Sequence, residues 1–243
     1  MAEKIFVFSG KGGVGKSTVT AAVSKSLSSF GERVLCIDAD VGFKSLDLIL
    51  NKGKQVVYNW LDIIEERCDA EKAAVKVNGC LDLLAAPNSF SESITLENVK
   101  KLLEELDSEY DYIFIDSPAG FGGLHEIFSC ACDRALLIVT ADSICVRSAQ
   151  TAAEKIEEIN PELNQKLIVN RYNKAEVLRG RQYTLDDIID CVHVGLIGVV
   201  PEDGTVGNMP DGKSTLSTKA QASFNRISER ITGENVRFNP RDL

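Results

Sequence analysis

A short apolar segment that runs directly into a glycine-rich loop constrains the fold of this chain more than any other feature. Residues 4–9 are β-prone and apolar, and the next eight residues read Gly10-Lys11-Gly12-Gly13-Val14-Gly15-Lys16-Ser17. A helical pattern follows over residues 16–30 and ends at Gly31, a residue type suited to the position after a helix. A strand, a loop of this spacing and a helix are together typical of a phosphate-binding loop.

The rest of the chain repeats this alternation of strand and helix. Six further runs are apolar on consecutive positions, as in strands buried on both faces of a sheet. These runs are residues 33–38, 80–85, 112–116, 135–140, 166–170 and 194–200. Helical patterns lie between or after them at residues 58–68, 96–106, 147–159, 184–189 and 214–231.

This order predicts an α/β fold of the P-loop NTPase type, with a mostly parallel sheet and helices on both faces. The sequence shows no internal repeat, low-complexity tract or linker-like stretch. We therefore predict a single domain, residues 1–243, in which residues 233–243 form a short irregular tail.

The composition is that of a folded protein with an acidic balance. The 243 residues include 27 Lys+Arg and 36 Asp+Glu, which gives a formal net charge of −9. This balance makes DNA an unfavoured partner, because phosphate neutralisation needs a basic face. The apolar runs are too short for a bilayer span or a signal-peptide core, so we expect a cytoplasmic protein. Its seven cysteines are then expected to be reduced and mostly buried.

The glycine-rich loop carries the groups that bind a nucleotide triphosphate. Its glycines let backbone amides approach phosphate oxygens, and the following helix directs its N-terminus at them. Lys16 is expected to contact the β- and γ-phosphates, and the Ser17 hydroxyl is expected to ligate Mg²⁺. Thr18 adds a donor for the α-phosphate.

Carboxylates at two strand ends complete the expected site. Asp116 ends the run 112–116 and fits the role of holding Mg²⁺ through water. Asp38 and Asp40 follow the second strand, one residue apart. One of these two could orient the attacking water while the other supports Mg²⁺ or the loop.

Lys11, directly after the first glycine, makes the loop resemble the deviant Walker A motif of the MinD/ParA family of ATPases. The resemblance implies that ATP is held between two copies of the chain and that Lys11 reaches the partner's nucleotide. Hydrolysis would then depend on an ATP-dependent homodimer. Lys11, Lys16 and Asp40 are the catalytic residues so implied, with Asp40 positioning the hydrolytic water.

Other segments extend the resemblance over almost the whole chain. Residues 36–42 are similar to the family's segment after the second strand, and Asp116-Ser117-Pro118-Ala119-Gly120 is similar to its switch II. By this resemblance Ser17 ligates Mg²⁺ directly and Asp116 holds it through water, with Asp38 a further candidate for contact through water.

Two segments are similar to the family's adenine-binding regions. Residues 169–172 match the adenine-binding strand end, which implies that Asn170 hydrogen-bonds the adenine edge, with Arg171 beside it. Residues 198–203 match the second adenine-flanking loop, which implies nucleotide contacts from Pro201, Glu202 and Asp203.

Four positions depart from the family pattern. The common Asn of switch I is Ser45, and an expected Glu after switch II is Gly122. Acidic positions on the partner-facing helix are Ser148 and Gln150. The Ser45 departure bears on the coupling of dimerisation to hydrolysis. Because the other three positions belong to the surface that the family presents to its regulators, the identity of a septum-inhibitor or activator partner stays open.

The resemblance implies a molecular switch that binds and hydrolyses ATP and regulates the position of the division septum. The alternative is a soluble ParA-like or flagellar-placement-like ATPase that acts on DNA or protein cargo. Family members of the first kind end in a basic amphipathic membrane-targeting helix. Here the last helical stripe is expected to pack on the sheet, and Pro240 blocks a helix beyond it, so the C-terminus does not support membrane attachment. The stripe comprises Leu216, Ala220, Phe224, Ile227 and Ile231.

Two further groups of residues bear on cofactor chemistry. Cys130 and Cys132 follow switch II, where electron-delivering relatives carry cluster cysteines. Positions i and i+2 of a helix do not face the same way, which favours ordinary buried thiols over an iron–sulfur cluster. His125 and His193 have no metal-ligating neighbours in the sequence and receive no catalytic role.

Overall fold

The β-strands form one layer of mostly parallel neighbours in a computed structural model that describes residues 1–118, 120–204 and 217–238. In chain order they are β1 (Glu3–Phe8), β2 (Val34–Asp38), β3 (Val75–Lys76), β4 (Leu81–Leu84), β5 (Tyr112–Asp116), β6 (Arg134–Thr140), β7 (Asn164–Tyr172) and β8 (Leu196–Pro201). Their order across the sheet is β3-β4-β2-β5-β1-β6-β7-β8, and within the described residues only β3 pairs antiparallel. The predicted α/β fold with a mostly parallel sheet is confirmed.

Helices connect the strands and pack in two groups. They are α1 (Lys16–Ser29), α2 (Leu46–Ile49), α3 (Trp60–Ile64), α4 (Ala70–Ala73), α5 (Leu96–Leu106), α6 (Gly123–Ser129), α7 (Ser143–Ile159), α8 (Lys174–Leu178), α9 (Leu185–Val192) and α10 (Thr218–Ile231), with a 3-10 turn at Gly53–Gln55. In the first group α1 contacts α2 and α10. In the second group each helix contacts the next, in the order α5, α6, α7 and α9.

Several element bounds differ from the sequence expectation for local reasons. Helix α7 begins four residues before the predicted residue 147, because the Asp142 side chain caps it by accepting the Cys145 N–H at 3.1 Å. Helix α3 is shorter than the predicted 58–68, since Glu66 adopts a positive φ of 56° soon after the helix ends. The short elements β3, α2, α4, α6 and α8 were not predicted, because a run of two to seven residues carries little periodicity.

Strand register brings the polar ends of three strands to one edge of the sheet. β1 lies between β5 and β6, and β5 also pairs with β2. Val7 of β1 and Asp38 of β2 both align with Asp116 of β5. The loop after β1 therefore meets the carboxylates that end β2 and β5. In open α/β sheets this is the edge at which ligands bind.

The last helix contributes its apolar stripe to the core. Phe224, Ile227 and Ile231 of α10 are buried, as predicted for a helix that packs on the sheet. Leu216 and Pro240 lie outside the described residues, as do residues 239–243 of the predicted tail. Residues 233–238 form neither helix nor strand. In the described part of the chain, no helix is long and apolar enough to cross a bilayer.

Gly198→Ala tests the close packing of α10 on β8. A Cβ at Gly198 would lie 2.2 Å from Ile227 Cγ1, so we expect a loss of about 1–3 kcal/mol of unfolding free energy. Urea unfolding measures it, with Gly79→Ala as the control because a Cβ there meets open space. The double variant Gly198→Ala with Ile227→Ala should lose less unfolding free energy than the two single variants lose together, because the shortened side chain at 227 leaves room for the added Cβ. Equal stability of Gly198→Ala and Gly79→Ala would contradict the packing.

Candidate functional site

The glycine-rich loop joins β1 to α1 in a backbone conformation that its glycines permit. Gly13 and Gly15 have φ values of 84° and 91°, in the left-handed region that favours glycine. Gly10 lies against α7, where an added Cβ would stand 2.0 Å from the Ser148 carbonyl oxygen. Helix α1 begins at Lys16 with no side-chain cap, so its first N–H groups are available to a ligand.

A cleft of about 340 Å³ opens over this loop, within the size range of small-ligand sites. The loop, the segment after β2 and the end of β7 form its walls. Its lining comprises Ser9, Gly12, Gly13, Gly15, Lys16, Ser17, Thr18, Asp40, Ser45, Ile49 and Arg171. The structure thus brings together residues that are up to 162 positions apart, from Ser9 to Arg171.

A buried ion pair lies at the base of the cleft. Lys16 Nζ donates to Asp116 Oδ1 at 2.9 Å and to the Ser117 carbonyl oxygen. The two charged side chains are 10% and 0% exposed. Burial raises the pKa of Asp116, and the Lys16 charge and the neighbouring Ser17 hydroxyl oppose that rise. Because a buried ion pair is expensive to desolvate, this pair favours a ligand that can replace one of its partners.

The second oxygen of Asp116 fits a water-bound cation. Asp116 Oδ2 is buried and has no hydrogen-bond partner among the described residues. The Ser45 hydroxyl donates to Ser17 Oγ at 3.1 Å, so two hydroxyls are close together in the same cleft. Hydroxyl, carboxylate and water oxygens are the ligands that Mg²⁺ prefers. The residues present therefore suit Mg²⁺ brought in with a phosphate ligand.

Asp38 and Asp40 have different surroundings. Asp38 is buried, and its carboxylate accepts the N–H groups of Asp40, Ser45 and Leu46 at 3.0, 2.9 and 3.0 Å. It thereby shapes the segment after β2. Asp40 is only half-buried and lines the cleft. Burial raises the pKa of Asp40, against the lowering effect of Lys16.

Asn170 fastens the glycine-rich loop to the end of β7. Its Nδ2 donates to the Val14 carbonyl oxygen at 2.8 Å. A Cβ at Gly15 would lie 2.4 Å from that nitrogen, so glycine is required for the approach. Arg171 follows with a positive φ of 54° and lines the cleft.

The predicted second adenine-flanking segment lies next to this strand end. Pro201 pairs with Tyr172, so the ends of β8 and β7 are neighbours. Glu202 Oε2 accepts the Asn173 Nδ2–H at 2.6 Å, and Asp203 Oδ2 accepts the Ser217 N–H at 2.9 Å. These three residues border the site and do not belong to the lining of the cleft.

Lys11 stands apart from the rest of its loop. Its carbonyl oxygen accepts the Ser9 hydroxyl at 3.0 Å, while the residue itself is exposed. It is not among the residues that line the cleft of its own chain. Lys11 is therefore exposed outside the cleft, and its charge helps to lower the pKa of Asp142 at the start of α7.

His125 is a residue whose placement sequence reasoning missed. It follows the switch II segment, of which Ala119 lies outside the described residues. The His125 ring stacks on Phe121 at 4.9 Å and meets Phe6 of β1 edge-on at 5.8 Å. Its Nδ1 accepts the Gly122 N–H at 3.4 Å. Since Phe6 lies more than a hundred residues earlier, no local pattern could have indicated this contact.

The cysteines are all free, and their burial varies. Cys36, Cys132 and Cys145 are buried, but Cys191 is exposed at the end of α9, so the expectation of burial is wrong for it. Cys130 follows the end of α6 as its C-cap. Within the described ranges, no group of three or more His, Cys, Asp or Glu side chains is arranged to hold a metal ion.

Known proteins resemble this chain over nearly its whole length. Residues 2–169 match the family model described as AAA domain. The septum site-determining protein MinD of Bacillus subtilis is 31% identical, over 97% of this chain and 91% of its own. The MinD cell division protein of Aquifex aeolicus has 34% identity and a TM-score of 0.87, covering 98% of this chain and 100% of its own. A MinC:MinD cell division protein complex from the same organism gives 32% identity and a TM-score of 0.88, with 98% of each chain covered.

The fold and the glycine-rich loop define a P-loop ATPase with a deviant Walker A motif. The chain belongs to the MinD/ParA family of these ATPases, and the relatives just described are its septum site-determining members. Nucleotide binding is a property that this family suggests for the chain.

Burial of His125 predicts a stability that falls with acidification. Burial lowers the pKa of His125 to about 4, below its ordinary value of 6.5. Between those pH values the unfolded chain binds a proton that the folded chain does not, so stability is lost as pH falls through this window. Between pH 7 and pH 4.5 the unfolding free energy of the wild type should fall by about 2 kcal/mol more than that of His125→Phe. Urea unfolding at the two pH values measures the difference.

His193→Gln is the control for that experiment, since it removes the other imidazole of the chain at an exposed position. If wild type and His125→Phe lose equal stability over the same pH range, the imidazole is not buried in its neutral form.

Proposed function

We propose that this chain is an ATP-driven dimerisation switch that regulates the position of the division septum. It binds Mg-ATP in the cleft, pairs with a second copy through that face, and hydrolyses ATP to ADP and phosphate to separate. The observation that carries the proposal is the buried contact of Lys16 with Asp116 and Ser117. This contact supports the proposal because it joins Lys16, Asp116 and Ser117 in one hydrogen-bond network, and we assign Lys16 to the phosphates and Asp116 to Mg²⁺.

Lys16 would exchange partners when ATP binds. Its ammonium group leaves Asp116 for the β- and γ-phosphate oxygens, which carry more negative charge than one carboxylate. The backbone amides from Gly10 to Thr18, with the start of α1, hold the remaining phosphate oxygens. The Thr18 hydroxyl is the donor for the α-phosphate.

Release of Lys16 leaves the Asp116 carboxylate free for a hydrated cation. Ser17 Oγ would ligate Mg²⁺ directly, and Asp116 would hold it through water. Asp38 contributes indirectly, because its carboxylate already accepts three backbone N–H groups. Bound Mg²⁺ supplies neutralisation of the charge on the phosphate oxygens.

Asp40 is the group that we assign to the attacking water. It lines the cleft, and its pKa is raised by burial, which makes its carboxylate a better proton acceptor. Asn170 has a second amide hydrogen and an oxygen left for the adenine edge, since one hydrogen is taken by Val14. Arg171, Pro201, Glu202 and Asp203 would flank the base from the adjoining strand ends.

Lys11 would act across the dimer. It is exposed and does not line its own cleft, so the phosphates it can reach are those of a second copy. A cation supplied by the partner stabilises the charge that develops on the transferred phosphoryl group, as an arginine finger does. Hydrolysis then requires the dimer.

A septum inhibitor is the class of partner that we propose for the switch. The Aquifex aeolicus relative has been solved as a MinC:MinD complex. In this chain a groove of about 820 Å³ runs between α7, Phe121 and Tyr183, and Ser148 and Gln150 line it. Because Gly10 touches Ser148, the groove adjoins the nucleotide loop. We propose that the cycle takes place in the cytoplasm.

Mixing two inactive variants tests the role of Lys11 across the dimer. Lys11→Ala and Asp40→Ala should each bind ATP and hydrolyse it poorly. In an equimolar mixture half of the dimers are hybrids, and each hybrid has one complete site. Phosphate release should therefore recover to about a quarter of wild-type activity.

The matched control mixes each variant with Lys16→Ala, which should not bind ATP. If Lys11 served its own subunit, neither site of the hybrid would be complete. A mixture of Lys11→Ala and Asp40→Ala no more active than its components would contradict the proposal.

A further inference from the structure

The single tryptophan of the chain lies between the end of β2 and the helix that follows switch II. Trp60 is the first residue of α3, and its side chain is fully buried. Its indole Nε1–H donates to the Asp38 carbonyl oxygen at 2.8 Å. The indole also meets the ring of Phe128 in α6 edge-on, with 5.8 Å between the ring centroids. One buried side chain therefore joins two elements that follow the neighbouring strands β2 and β5.

The Asp38 carbonyl lies at a point where the sheet changes its pairing. On the β5 side the ladder continues, because the Ala39 N–H donates to the Asp116 carbonyl oxygen at 2.9 Å. On the β4 side the last aligned pair is Ile37 with Leu84. A buried carbonyl oxygen without a donor is destabilising. The indole N–H supplies a donor just beyond the end of the ladder to β4.

The position of the indole is itself fixed by contacts at the start of α3. Asn59 Oδ1 accepts the Leu61 N–H at 3.0 Å, and Asp62 Oδ2 accepts the Asn59 N–H at 2.9 Å. These two bonds form a capping box, which holds the first turn of the helix. The Trp60 N–H donates to the Ala85 carbonyl oxygen at 3.3 Å, just after β4. Helix α3 thus presents the indole N–H from a firmly held backbone.

Asp38 connects this contact to the cleft. Its carboxylate accepts the N–H groups of Asp40, Ser45 and Leu46, as described above. Asp40 and Ser45 line the cleft. Because the carbonyl and the carboxylate belong to one residue, a shift of the Asp38 backbone would displace the segment that carries both cleft residues.

We propose that Trp60 is a positioning residue for ATP hydrolysis that acts through Asp38 and does not touch the nucleotide. It keeps the segment after β2 in the position from which Asp40 orients the attacking water. The inference rests on the proposed function, because that function assigns the water to Asp40. The phosphates are held by the glycine-rich loop, so Trp60 affects turnover and not affinity for ATP.

Trp60→Phe removes the indole N–H and keeps an aromatic ring beside Phe128. We expect kcat to fall about tenfold and KM for ATP to change less than about twofold, since a small displacement of a reacting group lowers turnover strongly. Phosphate release by the full chain measures both constants. Trp60→3-benzothienylalanine, which has sulfur in place of the N–H, should lower kcat by the same factor. The analogue enters this position alone, because the chain has one tryptophan.

Tyr110→Phe is the matched control. The Tyr110 hydroxyl donates to Asp82 Oδ2 at 2.8 Å, and the residue is buried, so this variant also loses one buried hydrogen bond and keeps its ring. Asp82 aligns with Leu35, at the opposite end of β2 from Asp38. Tyr110→Phe should therefore lose stability in thermal unfolding as Trp60→Phe does, with the kcat of the wild type.

Amide hydrogen exchange, followed by NMR without nucleotide, tests the placement of the segment separately from turnover. The Ser45 and Leu46 N–H groups should exchange about tenfold faster in Trp60→Phe than in Tyr110→Phe, because both depend on Asp38. Wild-type kcat in Trp60→Phe or in the benzothienyl form, or equal exchange in the two phenylalanine variants, would overturn the inference. A wild type that releases no phosphate would instead contradict the proposed function, and the exchange rates would then decide whether Trp60 positions the segment.

Discussion

The ion pair between Lys16 and Asp116 is the interaction on which the site depends. It joins the loop after β1 to the end of β5 in a place where the Asp116 side chain is fully buried and the Lys16 side chain is only 10% exposed. A charge buried in this way is stable only while it keeps a partner of opposite sign. In the proposed cycle a phosphate takes Lys16 while a cation takes Asp116, and this exchange would link the binding of Mg²⁺ to that of the nucleotide.

Contacts around this pair extend its influence to both neighbouring segments. On one side the Ser17 hydroxyl meets Ser45, whose backbone is held by Asp38. On the other side Lys16 reaches the Ser117 carbonyl at the start of switch II, and Phe121 farther along stacks on His125. His125 in turn packs against Phe6 of the strand that leads into the loop. These contacts connect the Lys16–Asp116 pair to Ser45 on one side and to the segment from Ser117 to His125 on the other.

Much of this arrangement could be predicted from the sequence. The glycine-rich loop has a fixed spacing and a strand before it, and Asp116 ends the run 112–116, which forms a strand with unchanged bounds. Parallel strands then bring such residues to one edge. The motif is local, so its chemistry could be predicted from adjacent residues alone.

The features that could not be predicted depend on contacts between distant segments. Asp38 and Asp40 look alike in sequence, and only the fold shows that Asp38 caps the segment that contains Ser45. The ring of His125 meets Phe6 of a distant strand as well as its near neighbour Phe121. Exposure of Phe43 and Phe90 is likewise a property of the folded surface.

Calorimetric titration of ATP in the absence of Mg²⁺ tests the central claim most directly. Without the cation, ATP binding to wild type must break the Lys16–Asp116 pair and leave a buried carboxylate uncompensated. Asp116→Asn removes that cost, so it should bind ATP about tenfold more tightly than wild type under these conditions. Equal or weaker binding by Asp116→Asn would show that Lys16 does not exchange Asp116 for the phosphates.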